Sequence, residues 1–372
     1  MSLKVAIVGP PLAVLFGGQE VQADALFALW QKDPEVTATF VPSRPAFPKA
    51  LSLLNRVPYL RTLARLPLYV INLFRAFGKV ELVHVFAGSF GTFLVATVPA
   101  FVVARVRGRR ILVHYHSGRC DEHLRRSILT RHILRACDVV VVPSEYLAAS
   151  FRVHGISPVV VANVVDPGRY PYRERDPLQP RLLCTRNLEA HYGIDIVVRA
   201  FGRVQREFPE ASLCLVGSGQ QAPEIRRLVG ELALNHVQIV GAVHPDGMPS
   251  IYNQSDIFVN GSYIDCAPVS ILEAFCSGLP VVTTDVGGIP YLVEHERTGL
   301  LCPTGNWVAL AENVIYLLRH PDMVRSLAER ARQQTDLHSW HSLRTVWLRV
   351  YRAARERPGP GNSYPVALDM DS

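Results

Sequence analysis

The chain has 372 residues, more than one average domain holds, so two domains of ordinary size are expected. Apolar residues make up 49% of it, which excludes global disorder, and the formal net charge is +7 at pH 7. The seven cysteines are scattered and never spaced Cys-x-x-Cys, which argues against a disulfide framework or a zinc site and for a reducing cytoplasm.

Short apolar runs alternate with helical patterns, which predicts parallel sheets with crossover helices. In the first half, strands are predicted at KVAIVG, ELVHVF, RILVHYH and CDVVVVPS. We expect no signal peptide, because the first of these strands begins almost at the start of the chain. After VVVANVVD the sequence becomes loop-like, and we place the interdomain linker in PGRYPYRERDPLQP.

A second α/β series begins at RLLCTRN and continues through SLCLVGSG, VQIVGAV, DIFVNGS and PVVTTDVGG. The sequence therefore predicts an α/β protein of two Rossmann-like domains that face one another. Ligands of such sheets bind outside the carboxyl ends of the strands, so the cleft between the domains is the expected active site. The predicted parts are an N-terminal domain (1–166), a C-terminal domain (167–340), a final helix that packs back towards the N-terminal domain (341–357) and a disordered tail (358–372).

Between Glu35 and Glu81 the chain carries basic and apolar residues but no acid. Such a segment can lie in the interface of an anionic bilayer, or it can be a solvated helical face, and both interpretations stay open. A second basic cluster, RVRGRR (105–110), is expected on a loop, and no nucleic-acid-binding motif accompanies either. The apolar run 92–106 is shorter than the ~20 residues of a membrane helix and is predicted to be a buried crossover helix. The basic residues of the first segment are Arg44, Lys49, Arg56, Arg61, Arg65, Arg75 and Lys79.

Two features of the first half could bind a ligand. Gly17 and Gly18 stand just before a predicted helix, whose N-terminus offers free N–H donors to an anion, although a tight structural turn is the competing interpretation. His114 and His116 end a strand on the same side of the chain, where a histidine can donate a hydrogen bond to a sugar or phosphate oxygen. A structural role is equally open, and a metal pair lacks an acidic or cysteine partner at ligand spacing.

The second half repeats this geometry at two loops. In CTRNLEAHYGIDIVVRAF, Arg186 directly follows the strand, where a guanidinium can bind two phosphate oxygens. In LVGSGQQAPEI, Gly217 and Gly219 follow a strand and precede a helix. Each signal is weak alone, but they converge on one edge of one sheet.

The stretch DCAPVSILE places an acid on each side of a predicted helix start. Pro268 fits position N1, so the backbone N–H groups that follow it can receive a phosphate. Asp265 lies before the helix and Glu273 inside it, and each carboxylate can accept hydrogen bonds from adjacent hydroxyls of a sugar or ribose. If Asp265 were a helix cap and Glu273 a paired helix acid, each carboxylate would be explained separately, but their position beside the other ligand-binding features would not. The expected phosphate donors are the amides of Val269, Ser270 and Ile271.

Together these motifs resemble the GT-B glycosyltransferases of family 4, over nearly the whole chain. The family's E-x7-E signature is matched in form by Asp265 and Glu273, followed by EAFCSGLPVVTTDVGGIP and the later TGLL. Arg186 matches the arginine before the first helix of the second domain, and His116 matches the histidine that closes a strand of the first. ANVVD (162–166) resembles the family's hinge motif NGVD.

The resemblance implies a retaining, metal-independent sugar transfer from a UDP- or GDP-sugar, with no cofactor, to a glycan or lipid-linked acceptor. By that likeness Asp265 would hold the donor sugar hydroxyls, Glu273 the ribose and Arg186 the diphosphate. His116 would contact the sugar near its reacting carbon. The backbone groups expected at the donor or acceptor are those of Gly17, Gly18, Gly217, Val269, Ser270 and Ile271.

Three positions depart from the family pattern. The first acid is Asp265 rather than glutamate, one methylene shorter. Tyr192 stands near the position of the family's lysine, so leaving-group stabilisation would rest on Arg186, backbone amides or a basic residue from elsewhere. Val164 stands where the hinge motif usually has glycine.

We expect a cytoplasmic enzyme of polysaccharide or glycolipid synthesis that rests on the inner face of the plasma membrane to reach its acceptor. One rival is a sugar-nucleotide epimerase with the same two domains, for which the signature around Glu273 is the poorer match. The other is a non-catalytic sugar-nucleotide-binding protein. The presence of both Asp265 and His116 favours the enzyme over this rival.

Overall fold

The computed structural model describes residues 2–11, 17–47 and 58–356. They fall into two compact units: the first holds residues 2–11, 19–47, 58–162 and 344–356, and the second holds 17–18 and 163–343. Each unit is built on one parallel sheet of six strands, so the predicted α/β class with two Rossmann-like domains is confirmed. The predicted tail and two of the basic residues, Lys49 and Arg56, lie outside the described residues.

The first unit alternates strands and helices along the chain and ends with the last helix. The elements are β1 (Leu3–Gly9), α1 (Gly18–Trp30), β2 (Val36–Pro42), α2 (Pro58–Phe77), β3 (Leu82–Ala87), α3 (Val98–Val106), β4 (Arg110–Tyr115), α4 (Cys120–Arg126), α5 (Ile128–Ala136), β5 (Val139–Val142), α6 (Glu145–Val153), β6 (Val159–Val160) and α13 (Trp340–Glu356). The strand order is β2-β1-β3-β4-β5-β6. Because helices cover both faces of such a sheet, inner strands are continuous apolar runs, as in the four buried valines of β5.

The second unit has the same alternation. The elements are β7 (Arg181–Thr185), α7 (Ile194–Glu207), β8 (Ser212–Val216), α8 (Ala222–Glu231), β9 (Val237–Gly241), α9 (Met248–Gln254), β10 (Ile257–Asn260), α10 (Val269–Cys276), β11 (Val281–Thr284), β12 (Leu300–Cys302), α11 (Trp307–Arg319) and α12 (Pro321–Gln334). The strand order β12-β11-β10-β7-β8-β9 reverses direction between β7 and β10. Ligands of doubly wound sheets bind at such a reversal, outside the carboxyl ends of the two strands.

Two apolar clusters cover the two faces of the second sheet. Alternate residues of β7 join different clusters, since Leu182 packs in one and Leu183 in the other. The first cluster includes Phe201 of α7, and the second includes Phe275 of α10. All four side chains are at most 2% exposed, so apolar residues cover both faces of the sheet. The candidate site residues lie at the edge of the sheet, where the strands end.

The segment 167–180 is not the linker that its prolines predicted, because it packs within the second unit. Tyr170 and Arg175 are only 4% and 5% exposed. Arg175 Nη2 donates to Tyr252 O at 3.1 Å, and burial lowers the pKa of Arg175 to about 9. The two units divide between Ala162 and Asn163, and again between Leu343 and Arg344.

The apolar run 92–106 is only partly buried, contrary to the prediction. A π-helical turn, Phe93–Thr97, leads directly into α3. Ala100 is fully buried, whereas Val102 and Val106 are 50% and 68% exposed, so this helix has one apolar face outside the core. No helix in the described ranges combines the length and the hydropathy needed to cross a membrane.

Arginines of the second basic cluster, residues 105–110, form ion pairs and hydrogen bonds within the first unit. Arg105 lies in the last turn of α3, which ends at Val106, and Arg110 begins β4. Only residues 107–109 therefore form the loop that was predicted for the whole cluster. Arg105 and Arg110 pair with the carboxylate of Asp138 at 3.1 and 2.9 Å. Arg109 Nε donates to Phe77 O, at the end of α2, at 2.9 Å. These arginines therefore join neighbouring elements of the first unit.

Candidate active site

Arg186 lies at the reversal of strand order in the second unit. It directly follows β7, and its Nε donates to Oδ1 of Asn260, the last residue of β10, at 3.2 Å. Asn260 Nδ2 in turn donates to Thr283 Oγ1 on β11 at 2.9 Å. The carboxyl ends of three neighbouring strands thus hold one guanidinium at the edge where a ligand is expected.

Asp265 binds that guanidinium directly. Its Oδ2 accepts from Arg186 Nη2 and lies 3.4 Å from Ser262 Oγ, while its Oδ1 accepts from the amide of Cys266 at 2.9 Å. The Arg186 and Asp265 side chains are 10% and 7% exposed. Asp265 is therefore not the helix cap of the alternative interpretation, because its carboxylate faces the cation.

Arg186 stays charged in this setting. Burial alone would lower its pKa, but the Asp265 carboxylate raises it, and the net pKa lies above the ordinary value for arginine. The ring of Tyr192 also lies against the guanidinium, with its centroid 5.2 Å from Arg186 Cζ. Tyr192, which the resemblance places near the position of the family's lysine, thus contributes an aromatic ring to the surroundings of Arg186.

Helix α10 begins one residue later than predicted. Pro268 is the residue before the first turn, with φ −70° and ψ 110°, and Val269 is the first helical residue. The Ile271 amide, predicted to be free, donates to Pro268 O at 3.2 Å. Within the described chain, the amides of Val269 and Ser270 have no acceptor, and Ser270 Oγ is buried without a partner. The first turn of α10 therefore keeps backbone N–H donors without acceptors at the end of the helix where its dipole is positive.

Glu273 lies one turn further along α10 and receives two tyrosine hydroxyls. Tyr170 Oη donates to Oε1 at 2.7 Å, and Tyr252 Oη donates to Oε2 at 2.8 Å. Burial raises the pKa of Glu273 above its usual range, against the lowering effect of the two hydrogen bonds. The carboxylate is thus held in one orientation inside the second unit.

Gly217 is needed for backbone packing next to Arg186. It has φ +144°, and a Cβ on it would lie 2.1 Å from Arg186 O. Its amide donates to Gly241 O at 2.9 Å and so is not free for an anion. Gly219 is similarly tight, since its Cβ would lie 2.3 Å from Leu188 O. These glycines shape the loop that carries Arg186.

No steric contact within the described residues requires a glycine at position 18. Gly18 is exposed, it begins α1, and a Cβ on it would have no atom within 4 Å. Gly17 precedes it directly, on the connection from β1 to α1. In the first sheet the strand order reverses between β1 and β3, so this loop follows one of the two strands at the reversal.

His116 directly follows β4, as predicted, and its ring is neutral. Its amide donates to Ala87 O at the end of β3 at 2.8 Å, and its ring stacks on Phe86 with centroids 5.3 Å apart. Burial lowers the pKa of His116 to about 3. Its Nε2 is buried without a hydrogen-bond partner among the described residues, so this nitrogen can serve a ligand.

His114 belongs to a buried chain of hydrogen bonds that the sequence did not indicate. Tyr351 Oη, on α13, lies 2.8 Å from His84 Nδ1, and His84 Nε2 lies 3.3 Å from His114 Nδ1. The ring centroids of His114 and His116 are 4.0 Å apart. In the described ranges, no group of three or more His, Cys, Asp or Glu side chains could hold a metal ion.

Sequence reasoning missed the residues that hold the site from outside the motifs. Asn260 could have been found, because a polar residue that ends a buried strand marks the ligand edge of a parallel sheet. Tyr170 and Tyr252 had no such signal, since one lies in the supposed linker and the other on a short helix.

Profiles of two protein families match the chain, each over one half. The profile of Glycosyltransferase Family 4 matches residues 16–169, and that of Glycosyl transferases group 1 matches residues 173–334. The first match lies mostly in the first unit, and the second match lies within the second unit.

Curated relatives match parts of the chain. N-acetyl-alpha-D-glucosaminyl L-malate synthase of Bacillus anthracis is 34% identical over 138 residues, which are 37% of this chain and 35% of that protein. The GDP-mannose-dependent alpha-(1-6)-phosphatidylinositol monomannoside mannosyltransferase of Mycobacterium tuberculosis is 28% identical over 230 residues, 56% of this chain and 59% of that protein. The chain thus spans about a third to three fifths of the length of these relatives.

Solved structures share the fold over nearly the whole chain. HepE of Anabaena, solved in complex with UDP-glucose, superposes with a TM-score of 0.75 at 17% identity, covering 94% of this chain and 100% of that one. Sucrose-phosphate synthase of Thermosynechococcus elongatus also has a TM-score of 0.75, at 22% identity, covering 94% and 98%. The predicted GT-B fold is therefore confirmed, and the two family profiles show that the chain belongs to the GT-B glycosyltransferases of family 4.

Proposed function

We propose that this chain transfers a sugar from a UDP- or GDP-sugar to a hydroxyl of a glycan or lipid-linked acceptor, with retention and without a metal ion. One observation carries the proposal. The Arg186 guanidinium and the unsatisfied first turn of α10 offer positive charge in the second unit, and the carboxylates of Asp265 and Glu273 belong to the same group of residues. That set matches a diphosphate, a sugar and a ribose in chemistry.

The reaction requires charge stabilisation on the leaving group. The bond between the anomeric carbon and the diphosphate oxygen breaks, a bond to the acceptor oxygen forms, and the acceptor proton goes to the departing nucleoside diphosphate. Negative charge builds on the diphosphate, and Arg186 with the amides of Val269 and Ser270 would stabilise it. Asp265 would hold hydroxyls of the sugar, and Glu273 those of the ribose.

The choice of donor is supported by the relatives. The mycobacterial relative is GDP-mannose-dependent by name, and HepE was solved with UDP-glucose. We therefore propose a nucleoside-diphosphate sugar as the donor of this chain and leave the base as either uracil or guanine. The neutral ring of His116, with an unpaired Nε2, suits a hydrogen bond to a sugar hydroxyl better than an ion pair with phosphate.

Thermal-shift measurements with UDP-, GDP- and ADP-sugars, on wild type and Arg186→Ala, test the function. A donor at 100 times its dissociation constant should stabilise wild type by roughly 2.7 kcal/mol, and Arg186→Ala should abolish the shift. Arg203→Ala is the matched control, because Arg203 pairs with Glu312 on the surface of the same unit. No shift with any donor would refute the assignment.

Donor turnover separates the rival functions. Slow hydrolysis of the stabilising donor, and transfer once an acceptor is present, support the transferase. Release of an epimerised sugar without an acceptor would indicate the epimerase. Tight donor binding without either reaction, over a broad panel of acceptors, would indicate the non-catalytic binding protein that Tyr192 in the lysine position suggests.

We include an anionic membrane surface as a partner, because apolar and basic groups share the outer side of two packed helices. Leu63 and Ile71 of α2 are 68% and 46% exposed, and Val106 of α3 is 68% exposed. Arg61 and Arg75 are exposed on α2 as well. Exposed apolar area beside basic residues is the chemistry of interfacial binding, and it would suit a lipid-linked acceptor.

A further inference from the structure

The hydroxyl of Tyr252 joins three parts of the candidate donor site. Tyr252 lies on α9 and is fully buried. Its Oη is 2.8 Å from Thr185 Oγ1, 2.8 Å from Glu273 Oε2 and 3.1 Å from Ser270 O. Thr185 directly precedes Arg186, and Ser270 lies in the first turn of α10. One hydroxyl therefore connects the strand of the arginine, the helix start and the second carboxylate.

The direction of these hydrogen bonds follows from the protons available. A phenol has one proton, and an ionised carboxylate can only accept, so Tyr252 donates to Glu273. The Thr185 hydroxyl then donates to the Tyr252 oxygen, which leaves the carboxylate as the end of a short chain. Burial raises the pKa of Tyr252 well above its ordinary value, so the phenol keeps its proton.

Both carboxylate oxygens are oriented while each keeps capacity for another donor. Tyr170 Oη donates to Glu273 Oε1 at 2.7 Å, opposite the bond from Tyr252 to Oε2. A carboxylate offers about four lone-pair sites, so two tyrosine hydroxyls leave about two for ligand hydroxyls. That number matches the adjacent 2′- and 3′-hydroxyls of a ribose.

The ring of Tyr252 is placed by packing that does not depend on its hydroxyl. It lies parallel to Phe258, with centroids 6.1 Å apart, and meets the ring of Tyr170 edge-on at 5.6 Å. Its backbone carbonyl accepts from Arg175 Nη2 at 3.1 Å. Tyr252→Phe therefore removes one hydroxyl from a ring whose position is held independently.

We propose that Tyr252 is a positioning residue that holds the carboxylate of Glu273 for the ribose hydroxyls of the donor. The inference rests on the proposed function, in which Glu273 binds ribose, and adds the group that orients it. Without the hydroxyl, the Glu273 side chain gains rotational freedom and its pairing with the ribose weakens. A nucleotide that lacks the 2′-hydroxyl forms one hydrogen bond fewer to Glu273, so its affinity depends less on Tyr252 than that of the ribonucleotide.

Calorimetric titration of wild type and Tyr252→Phe with UDP and 2′-deoxy-UDP tests this, with GDP and 2′-deoxy-GDP as the second pair. Wild type should bind the ribonucleotide of the recognised pair about tenfold more tightly than the deoxynucleotide, the worth of one hydrogen bond to a charged group. Tyr252→Phe should reduce that ratio to below about twofold, with the loss falling on the ribonucleotide. Tyr170→Phe should change the ratio in the same direction.

Tyr263→Phe is the matched control, because Tyr263 Oη donates to a different carboxylate, Asp195, at 3.4 Å. It should leave the ratio unchanged. Equal weakening of both nucleotides by Tyr252→Phe, with the ratio kept, would overturn the inference and assign Tyr252 a purely structural role. A wild-type protein that binds both nucleotides equally would overturn it too, while the proposed function stands. Binding of neither nucleotide in either pair would overturn the inference and the proposed function together.

Discussion

Arg186 and Asp265 are bound to each other, although the family resemblance assigns them to different parts of the donor. The guanidinium donates to Asp265 Oδ2, and both side chains are at most 10% exposed. The carboxylate therefore occupies the cation that a diphosphate would use, and a donor must share or displace it. An aspartate, shorter than the family's glutamate, forms this pair within the second unit.

This pair predicts that Asp265→Asn binds a free nucleoside diphosphate more tightly than wild type does. A full charge about 5 Å from the diphosphate contributes roughly 3 kcal/mol of repulsion at an effective dielectric of about 20. We expect at least a tenfold lower Kd for UDP or GDP by calorimetry. Sugar transfer should fall at the same time, because the amide is a poorer acceptor for the sugar hydroxyls.

Glu189→Gln is the matched control for that change. Glu189 is another carboxylate near the end of β7, and it accepts from the amide of Gln220 rather than from Arg186. It should alter the Kd of the nucleotide by less than about twofold, the scale of screened surface charges. Unchanged or weaker nucleotide binding by Asp265→Asn would show that the pair does not oppose the diphosphate.

Tyr192 is expected to support Arg186 through its ring. A cation–π contact at a partly buried site contributes about 1–2 kcal/mol, so Tyr192→Ala should weaken donor binding roughly five- to thirtyfold. Tyr192→Phe keeps the ring at its 5.2 Å distance from Arg186 Cζ and should stay within about threefold of wild type. Donor dissociation constants from calorimetry distinguish the two variants. Equal losses would assign the effect to the hydroxyl instead.

The fold was largely predictable because inner strands of parallel sheets are apolar runs of fixed length. The strand β2 was missed, since it lies at the sheet edge and alternates buried with exposed residues at the start of the basic segment. The proline-rich segment 167–180 was misassigned as linker because local composition does not reveal that Arg175 is buried among backbone carbonyls.

Partnerships between site residues were visible in the sequence where both partners lie in one motif. Asp265 and Glu273 lie eight positions apart, so their joint role is visible in the sequence. Asn260 meets Arg186 across 74 positions, and Tyr170 meets Glu273 across 103. Such pairs depend on sheet order and on the path of the chain around it, which a local pattern does not contain.

Replacement of Gly217 by alanine and replacement of Gly18 by alanine should have different effects on stability. Gly217→Ala places Cβ 2.1 Å from Arg186 O, so it should move the Arg186 loop, lower the free energy of unfolding by several kcal/mol and abolish donor binding. Gly18→Ala meets no atom within 4 Å and should keep the melting temperature within about 2 °C. If Gly18 faces the donor or acceptor, this variant should still lose transfer activity. Full activity would reduce Gly18 to part of a structural turn.

The buried histidines predict that stability falls as the pH is lowered below neutrality. Burial lowers the pKa of His84 and of His116 to about 3, below the ordinary value of 6.5. Because the unfolded chain binds these protons first, their stabilisation is complete above pH 6.5 and is lost as the pH falls from 6.5 towards 3. The slope is about 1.4 kcal/mol per pH unit for each histidine. Urea unfolding at pH 7, 6 and 5 measures it.

His84→Phe is the variant that isolates one of these histidines. It removes one titrating group and the bond to Tyr351 Oη, so the free energy of unfolding should fall at pH 7, where His84 is neutral in the folded state. The slope of the free energy of unfolding against pH should decrease by the contribution of one histidine, about 1.4 kcal/mol per pH unit. An unchanged slope would show that His84 is not a neutral buried group whose protonation opposes folding.

The exposed apolar face of α2 and α3 predicts salt-sensitive binding to anionic vesicles. Helix α2 is joined to the π-helical turn that leads into α3, since Tyr69 Oη donates to Ala96 O at 2.8 Å. Leu63 and Val106 are each 68% exposed, and Leu63→Glu with Val106→Glu should remove both apolar contact and charge complementarity. We expect at least a tenfold loss of co-sedimentation with phosphatidylglycerol vesicles, at low salt. Val153→Glu, on α6 and 80% exposed, is the matched control and should bind as wild type does. Wild-type protein that ignores anionic lipid would exclude the membrane as a partner, and the exposed residues would then be a solvated face of the first unit.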